Sequence, residues 1–364
     1  MKKHTLIYAI LIALFLSCSQ TESYKITGQL KNQNGKVYLL RQVDLEPVKI
    51  DSTEIVGGEF TFEGSVTGPE QYFLLIENDK KHYLRLIIEN ANIHISADLN
   101  DRSSTVITGS ASQDLMDSYY NIMSPFDEKA QKINQSLREA KQVNDSVKTE
   151  EILAEQNKNR DNETAQTMKF IKDNNKSFVA ALLASKQQIN DADKLDELVA
   201  LLDVSLMDNN LVIEMKEKAD ALRKVVIGQI APDFTINDVD GNPFTLSSLM
   251  GKGIVLVDFW ASWCGPCRGE NPNIVAAYNK YHNKGFEVLG VSYDTSKEKW
   301  MKAIADDKLP WKQVSDLKGW ACLTQKLYCI PSVPSSVLLD KEGKIIAKNL
   351  RGIALEEKLA ELLD

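Results

Sequence analysis

The chain is poor in cysteine, with five in 364 residues. So few in so long a chain exclude a disulfide framework as the thing that holds the fold together. It has no basic run, and its formal net charge is −8. That excludes the positive footprint that nucleic-acid binding demands. Beyond residue 16 no apolar stretch is long enough to cross a bilayer as a helix. Between residues 111 and 225 glycine and proline all but vanish, and Pro125 is the only proline. That argues against a turn-rich β region there. What remains is length enough for two or three domains, each with its own core.

The first twenty residues read "MKKHTLIYAILIALFLSCSQ". Lys2 and Lys3 form a short positive start, and Leu6 to Leu16 are almost wholly apolar. That run is too short for a bilayer span and right for a signal segment. Phe15-Leu16-Ser17-Cys18 resembles a bacterial lipobox, with Phe15 departing from the usual aliphatic residue. The resemblance implies a signal peptide over 1–17, cleavage before Cys18 and lipidation of Cys18. An ordinary cleaved signal or an N-terminal anchor helix is the competing reading. Either way the mature chain is expected outside the cytosol, in the cell envelope, facing the periplasm.

Three regions follow. Residues 18–110 are β-rich: "YKITGQL", "GKVYLLRQV", "GEFTFEGSV", "QYFLLIEN" and "HYLRLIIENANIHISADL" alternate or run apolar. Asn34-Gly35, Gly57-Gly58 and Gly68-Pro69 punctuate them, so the region is expected to be a small all-β sandwich or barrel. His82 and His94 are isolated and read as ordinary strand histidines. Residues 111–225 are expected to form four or five helices, on the helical spacing of "LDELVALLDVSLM" and "LVIEMKEKADALRKVV". Around 128–165 the polarity suggests a long solvated helix pair or a partly mobile stretch. Residues 226–364 read as α/β. A hairpin around Asp240-Gly241 precedes the buried strand "IVLVDFW" and a helix from Cys264 to about Lys284. A strand, a helix, two strands joined at Glu342-Gly343 and a closing helix complete a covered central sheet.

The chemistry concentrates in "WASWCGPCRGE", residues 260–270. Cys264 falls where a buried strand gives way to a helix. Gly265 is read as permitting the tight turn, and Pro266 suits a first helical turn. Unpaired backbone N–H groups and the positive end of the helix dipole then face the first thiol and favour its thiolate. Cys267 lies one turn further in, placed to resolve a mixed disulfide. Asp258, at the end of an apolar strand, needs a function or a partner. Glu270 shares the helix face of Cys267. Either carboxyl could take the Cys267 proton.

"VDFWASWCGPCRGENP" and "YCIPSVPSSVLLDKEGKIIA" resemble the thioredoxin fold, and more closely the TlpA/ResA-like extracytoplasmic thiol-disulfide oxidoreductases. The resemblance covers residues 226–364. It implies a thioredoxin-like domain whose redox-active group is the Cys264–Cys267 disulfide, with no other cofactor and no metal. Asp258 falls at the buried acid of thioredoxins and Glu270 at the active-site glutamate of ResA-like proteins. Pro272 falls at the helix-kinking proline. Pro334 falls at the cis-proline, so the backbone of Val333 is expected to pair with substrate. Ser335 replaces the more usual threonine. Trp260 and Trp263 are expected to wall the site. Trp263, Gly265 and Pro266 are expected on the substrate side. The whole layout resembles envelope lipoproteins of the Bacteroidetes type. Protein disulfides, apocytochrome c among them, are the implied substrates, and a membrane thiol donor of the DsbD or CcdA type the implied partner.

The alternatives are specific. Zinc needs four ligands, and Cys322 and Cys329 are spaced too widely for a second knuckle. Seven residues apart on one unbroken helix, those two would be about 10 Å apart, too far to bond. They read as buried thiols, or, if the helix bends, as a second redox pair. A thiol peroxidase of the redoxin type would carry Thr three residues before the reactive cysteine, where Ala261 stands. A third reading is a binding lipoprotein in which the redox domain only assists.

Overall fold

The structure, a computed structural model, describes residues 22–43, 46–77 and 79–364. The signal segment and Cys18 lie outside the described residues, as does the side chain of His82. The chain forms two compact units that meet in sequence at Ile122 and Met123.

The first unit holds eight strands: β1 (Tyr24–Leu30), β2 (Gly35–Val43), β3 (Glu46–Ile55), β4 (Glu59–Gly64), β5 (Glu70–Ile76), β6 (Asp79–Ile88), β7 (Asn92–Asp98) and β8 (Asp101–Thr108). They make two four-stranded sheets, in the orders β4-β1-β7-β8 and β3-β2-β5-β6. Strict alternation drives this. In β1 the burial runs in and out residue by residue, with Tyr24, Ile26, Gly28 and Leu30 inward. One core joins both sheets, from Ile26, Phe62 and Ile93 to Leu39, Leu74 and Ile88. The architecture is therefore a sandwich. "HYLRLIIENANIHISADL" is two strands, β6 and β7, and they belong to different sheets. Two strands, β3 and β8, escape the hydrophobic pattern. Both are edge strands, and edge strands are kept polar to block further pairing. His94 is an exposed strand residue whose Nδ1 lies 2.6 Å from Thr27 Oγ1.

α1 (Ala111–Gln142) follows β8, with Pro125 inside it. In the second unit its later part pairs with α2 (Ser146–Asp173). The Asp145 carboxylate caps α2 through the Lys148 N–H. Asn159, buried on α2, donates to the Phe126 carbonyl, and Ile133, Ala140 and Ile152 form a narrow seam. The polar stretch is thus a pair of long helices, most of whose surface faces water. α3 (Phe178–Ser185), α4 (Ala192–Ala200) and α5 (Asn210–Lys224) complete the helical segment.

The remainder of the second unit begins with the hairpin of β9 (Thr235–Asn237) and β10 (Pro243–Thr245). The elements β11 (Ile254–Trp260), α6 (Gly265–Tyr281), β12 (Phe286–Ser292), α7 (Lys297–Asp306) and β13 (Lys312–Val314) follow. Then come α8 (Leu323–Tyr328), β14 (Ser335–Leu339), β15 (Ile345–Lys348) and α9 (Ile353–Leu363). The sheet order is β13-β12-β11-β14-β15. β11 pairs in parallel with β12 and antiparallel with β14. Residues 255–260 of β11 are buried without a break, which explains a strand apolar at every position but Asp258. A β-α-β half followed by a β-β-α half is the thioredoxin topology. The edge strand β13, three residues long, has no sequence pattern to announce it.

Candidate active site

The end of β11 delivers the cysteines. The turn before them is anchored: the Ser262 N–H donates to Asp294 Oδ2 at 2.8 Å, and its hydroxyl bonds the other carboxylate oxygen. Asp294, just past β12, is 1% exposed. Cys264 is the N-cap of α6, with extended backbone, and its sulfur accepts the Cys267 N–H at 3.2 Å. That is the capping role oxygen usually fills, and it places sulfur at the positive end of the helix. Cys264 and Cys267 are joined as a disulfide, with their Cα atoms 5.3 Å apart. Cys267 is the more deeply buried, at 1% against 5%.

Antiparallel pairing sets Phe259 opposite Ser335. The end of β11 and the start of β14 therefore share one end of the sheet. The Val333–Pro334 peptide is cis and stands at that end, half-buried. Sheet register thus brings together two segments about seventy residues apart.

Asp258 is buried on β11, opposite Gly290 and Ser336. Its carboxyl is pushed up to about 7, first by loss of water and then by the negative charge of Glu270, with Arg351 opposing. Glu270, half-buried on α6, is held at both oxygens. Oε1 accepts the Gly352 N–H at 2.7 Å and Oε2 accepts Asn273 Nδ2 at 3.0 Å. The two carboxyls, equivalent candidates from sequence, stand in different surroundings.

Two expectations fail. Trp260 does not wall the site. It is fully buried, and its indole N–H donates to Gln313 Oε1 at 3.0 Å. Gly290 makes room for that contact, since a Cβ there would lie 2.1 Å from Gln313 Oε1. Trp263 alone is at the surface, 56% exposed, its ring 6.4 Å from that of Trp320. Nor does the turn require glycine at 265. Gly265 is not in the left-handed region, and a Cβ there would meet nothing within 4 Å. With Pro266, also exposed, it leaves bare surface beside Cys264.

Sequence reasoning missed the supports. The Arg268 guanidinium pairs with Asp307, and Asn271 donates to the same carboxylate. The segment before α9 reaches the site through Arg351 and Gly352. These contacts join residues 17 to 82 apart and leave no local signal.

Cys322 and Cys329 are separate, buried thiols. They flank the six-residue α8, Cys322 as its N-cap and Cys329 as a left-handed C-cap. Burial pushes the Cys329 thiol up, against the positive charges of Lys218 and Lys348. Among the described residues no three His, Cys, Asp or Glu side chains gather as a metal site, and no helix is long and apolar enough to cross a membrane.

A thioredoxin-type sheet carrying a Cys-X-X-Cys disulfide defines a class, the dithiol–disulfide exchange proteins. Comparison with known proteins narrows it. Residues 227–348 match the AhpC/TSA family, and residues 24–116 match a domain of unknown function, DUF4369. The thiol-disulfide oxidoreductase ResA of Bacillus thuringiensis is 34% identical over 140 residues, 38% of this chain and 78% of the relative. Its counterpart in Geobacillus thermodenitrificans is 31% identical over the same shares. The thioredoxin domain of a Bacteroides vulgatus thiol-disulfide oxidoreductase is 41% identical and covers 38% of this chain and 99% of that one, at a TM-score of 0.36. The chain belongs to the ResA thiol-disulfide oxidoreductase family, and it is a thiol-disulfide oxidoreductase.

Proposed function

We propose that this protein reduces protein disulfides outside the cytosol, attached to the envelope membrane by a lipid on Cys18. The observation that carries the reading is the bonded Cys264–Cys267 pair at the N-terminus of α6, at the sheet end where the cis Val333–Pro334 peptide also lies. In the dithiol form, the Cys264 thiolate attacks one sulfur of a substrate disulfide. A mixed disulfide forms, and the other substrate sulfur leaves as a thiolate that takes up a proton. Cys267 passes its proton to the Asp258 carboxylate and attacks Cys264. The second substrate sulfur leaves and is protonated, and the Cys264–Cys267 disulfide closes. Two electrons have moved from the enzyme to the substrate.

Each group has a role. Asp258, at about 7, both takes and returns a proton near neutrality. Glu270 tunes it. Val333 offers backbone to the substrate chain beside Pro334, and the exposed Trp263, Gly265 and Pro266 form the surface it meets. Renewal requires a dithiol donor, for which a membrane protein of the DsbD or CcdA type is the candidate. Apocytochrome c is a candidate substrate. The Gly265-Pro266 dipeptide, shared with reducing thioredoxins, favours reduction. The test is the reduction potential of the pair, by equilibration with a graded dithiol buffer. A value near roughly −270 mV supports a reductant, and one near roughly −120 mV marks an oxidant and overturns the direction.

A further inference from the structure

The stretch from Asn349 to Gly352 touches three parts of the site. The Asn349 N–H donates to the Ser336 carbonyl at 2.8 Å, and its side-chain oxygen accepts the Ser336 N–H at 3.1 Å. Asn349 is left-handed, at φ 56°, which turns the chain back toward the sheet end. Arg351 Nη2 donates to the Pro334 carbonyl. The Gly352 N–H donates to Glu270 Oε1. Three residues, Asn349, Arg351 and Gly352, thus clasp the start of β14, the cis-proline and the acid of α6. The cationic member of this clasp is exposed, and its guanidinium has five N–H donors, of which one bonds the Pro334 carbonyl among the described residues.

We propose that Arg351 is a positioning residue for the dithiol chemistry, holding the cis-proline loop by the Pro334 carbonyl and placing a positive charge next to the Gly352 N–H that bonds Glu270. This rests on the reductase reading above. Two consequences follow from one side chain. The hydrogen bond fixes the carbonyl next to the residue that is to pair with substrate, so it acts on docking. The charge favours ionised Asp258, the form that accepts the Cys267 proton, so it acts on the pH range of turnover. The charged groups acting on Asp258 come from two elements, Glu270 from α6 and Arg351 from the turn before α9, and they act in opposite directions. Without Arg351, burial and the Glu270 charge act unopposed, and Asp258 keeps its proton to higher pH. Lysine at 351 would retain charge but not the planar fork.

The experiment uses the full chain with Arg351→Gln and Arg351→Lys. The Asp258 carboxyl is followed by carbon-13 NMR titration in the oxidised protein, and protein-disulfide reduction is followed against pH with an insulin-type substrate. Arg351→Gln is expected to move the Asp258 titration upward by about one pH unit, and with it the acid limb of kcat/KM, so that turnover at pH 6 falls about tenfold. Arg351→Lys is expected to restore the titration while KM stays raised. An Asp258 titration that does not move in Arg351→Gln overturns the proposal, as does a KM that is the same in all three proteins. Failure of the wild-type protein to reduce any disulfide would instead overturn the reductase reading, and the NMR titration would still judge Arg351.

Discussion

The two cysteine pairs of the C-terminal region are a controlled comparison. Both lie at the ends of helical turns, and both are nearly out of contact with water. Cys264 and Cys267 are three apart, one the N-cap and the other in the first turn of a seventeen-residue helix, and are bonded to each other. Cys322 and Cys329 are seven apart, at opposite ends of a six-residue helix, and are not bonded. The first pair sits at a helix N-terminus, with a sulfur accepting a backbone N–H. In the second, the Cys329 sulfur faces the Lys326 and Lys218 carbonyls at 3.6 and 3.8 Å, partners that disfavour a thiolate. Burial alone does not distinguish these cysteines. Cys264 and Cys329 meet backbone groups of opposite sign, and Cys322, although an N-cap, accepts no cap hydrogen bond.

Replacing Cys264 by serine should sharpen this contrast most, lowering disulfide-reduction kcat/KM by at least about a thousandfold, because the nucleophile is gone. Turnover within tenfold of wild type would mean that a different sulfur attacks. Asp258→Asn should cost about a hundredfold at neutral pH through loss of the proton acceptor, with the acid limb near pH 7 abolished. It also carries a stability signature. Native Asp258 holds its proton to about pH 7, whereas in the unfolded chain it loses it near pH 4. The native state therefore binds more protons across that window. The contribution is fully present below pH 4 and is lost as pH rises through 7, on the order of 4 kcal/mol. Thermal denaturation at pH 8 should show Asp258→Asn more stable than wild type, and a lower Tm would contradict the assignment. Trp263→Ala should raise KM for protein substrates about fivefold and leave the potential of the pair unchanged, since an exposed aromatic serves contact and not electronics. Smallest of all, the double replacement of Cys322 and Cys329 by alanine should change turnover less than about twofold while lowering stability, as loss of buried sulfur predicts. A tenfold loss of turnover would revive them as a second redox pair.

Much of this was legible in the residues. "IVLVDFW" followed by "CGPC" announces a buried strand feeding a helix, and the cis bond at Val333–Pro334 follows from the family resemblance. The β-rich start, the helical middle and the thioredoxin-like end are each visible as a change of period. The failures have physical causes. Trp260 and Trp263 look alike three residues apart, but strand alternation and the turn send one inward to Gln313 and leave the other at the surface. The polar edge strands β3 and β8 lack the pattern that burial imposes on their neighbours. Glycine at 265 looks like a turn requirement, yet its backbone would accept any residue.

The order of the amino acids settles what is local: the periodicity of each strand and helix, the cap that Cys264 provides, and the pair of sulfurs one turn apart. Those depend on neighbours within four residues. The tertiary structure alone decides which carboxyl is buried and which is hydrogen-bonded. It also decides that Val333 and Pro334 stand at the same sheet end as the disulfide, and that Arg351 and Gly352 reach back to Pro334 and Glu270. Those depend on strand register and on the water that packing expels, and neither is written in any short stretch of the chain.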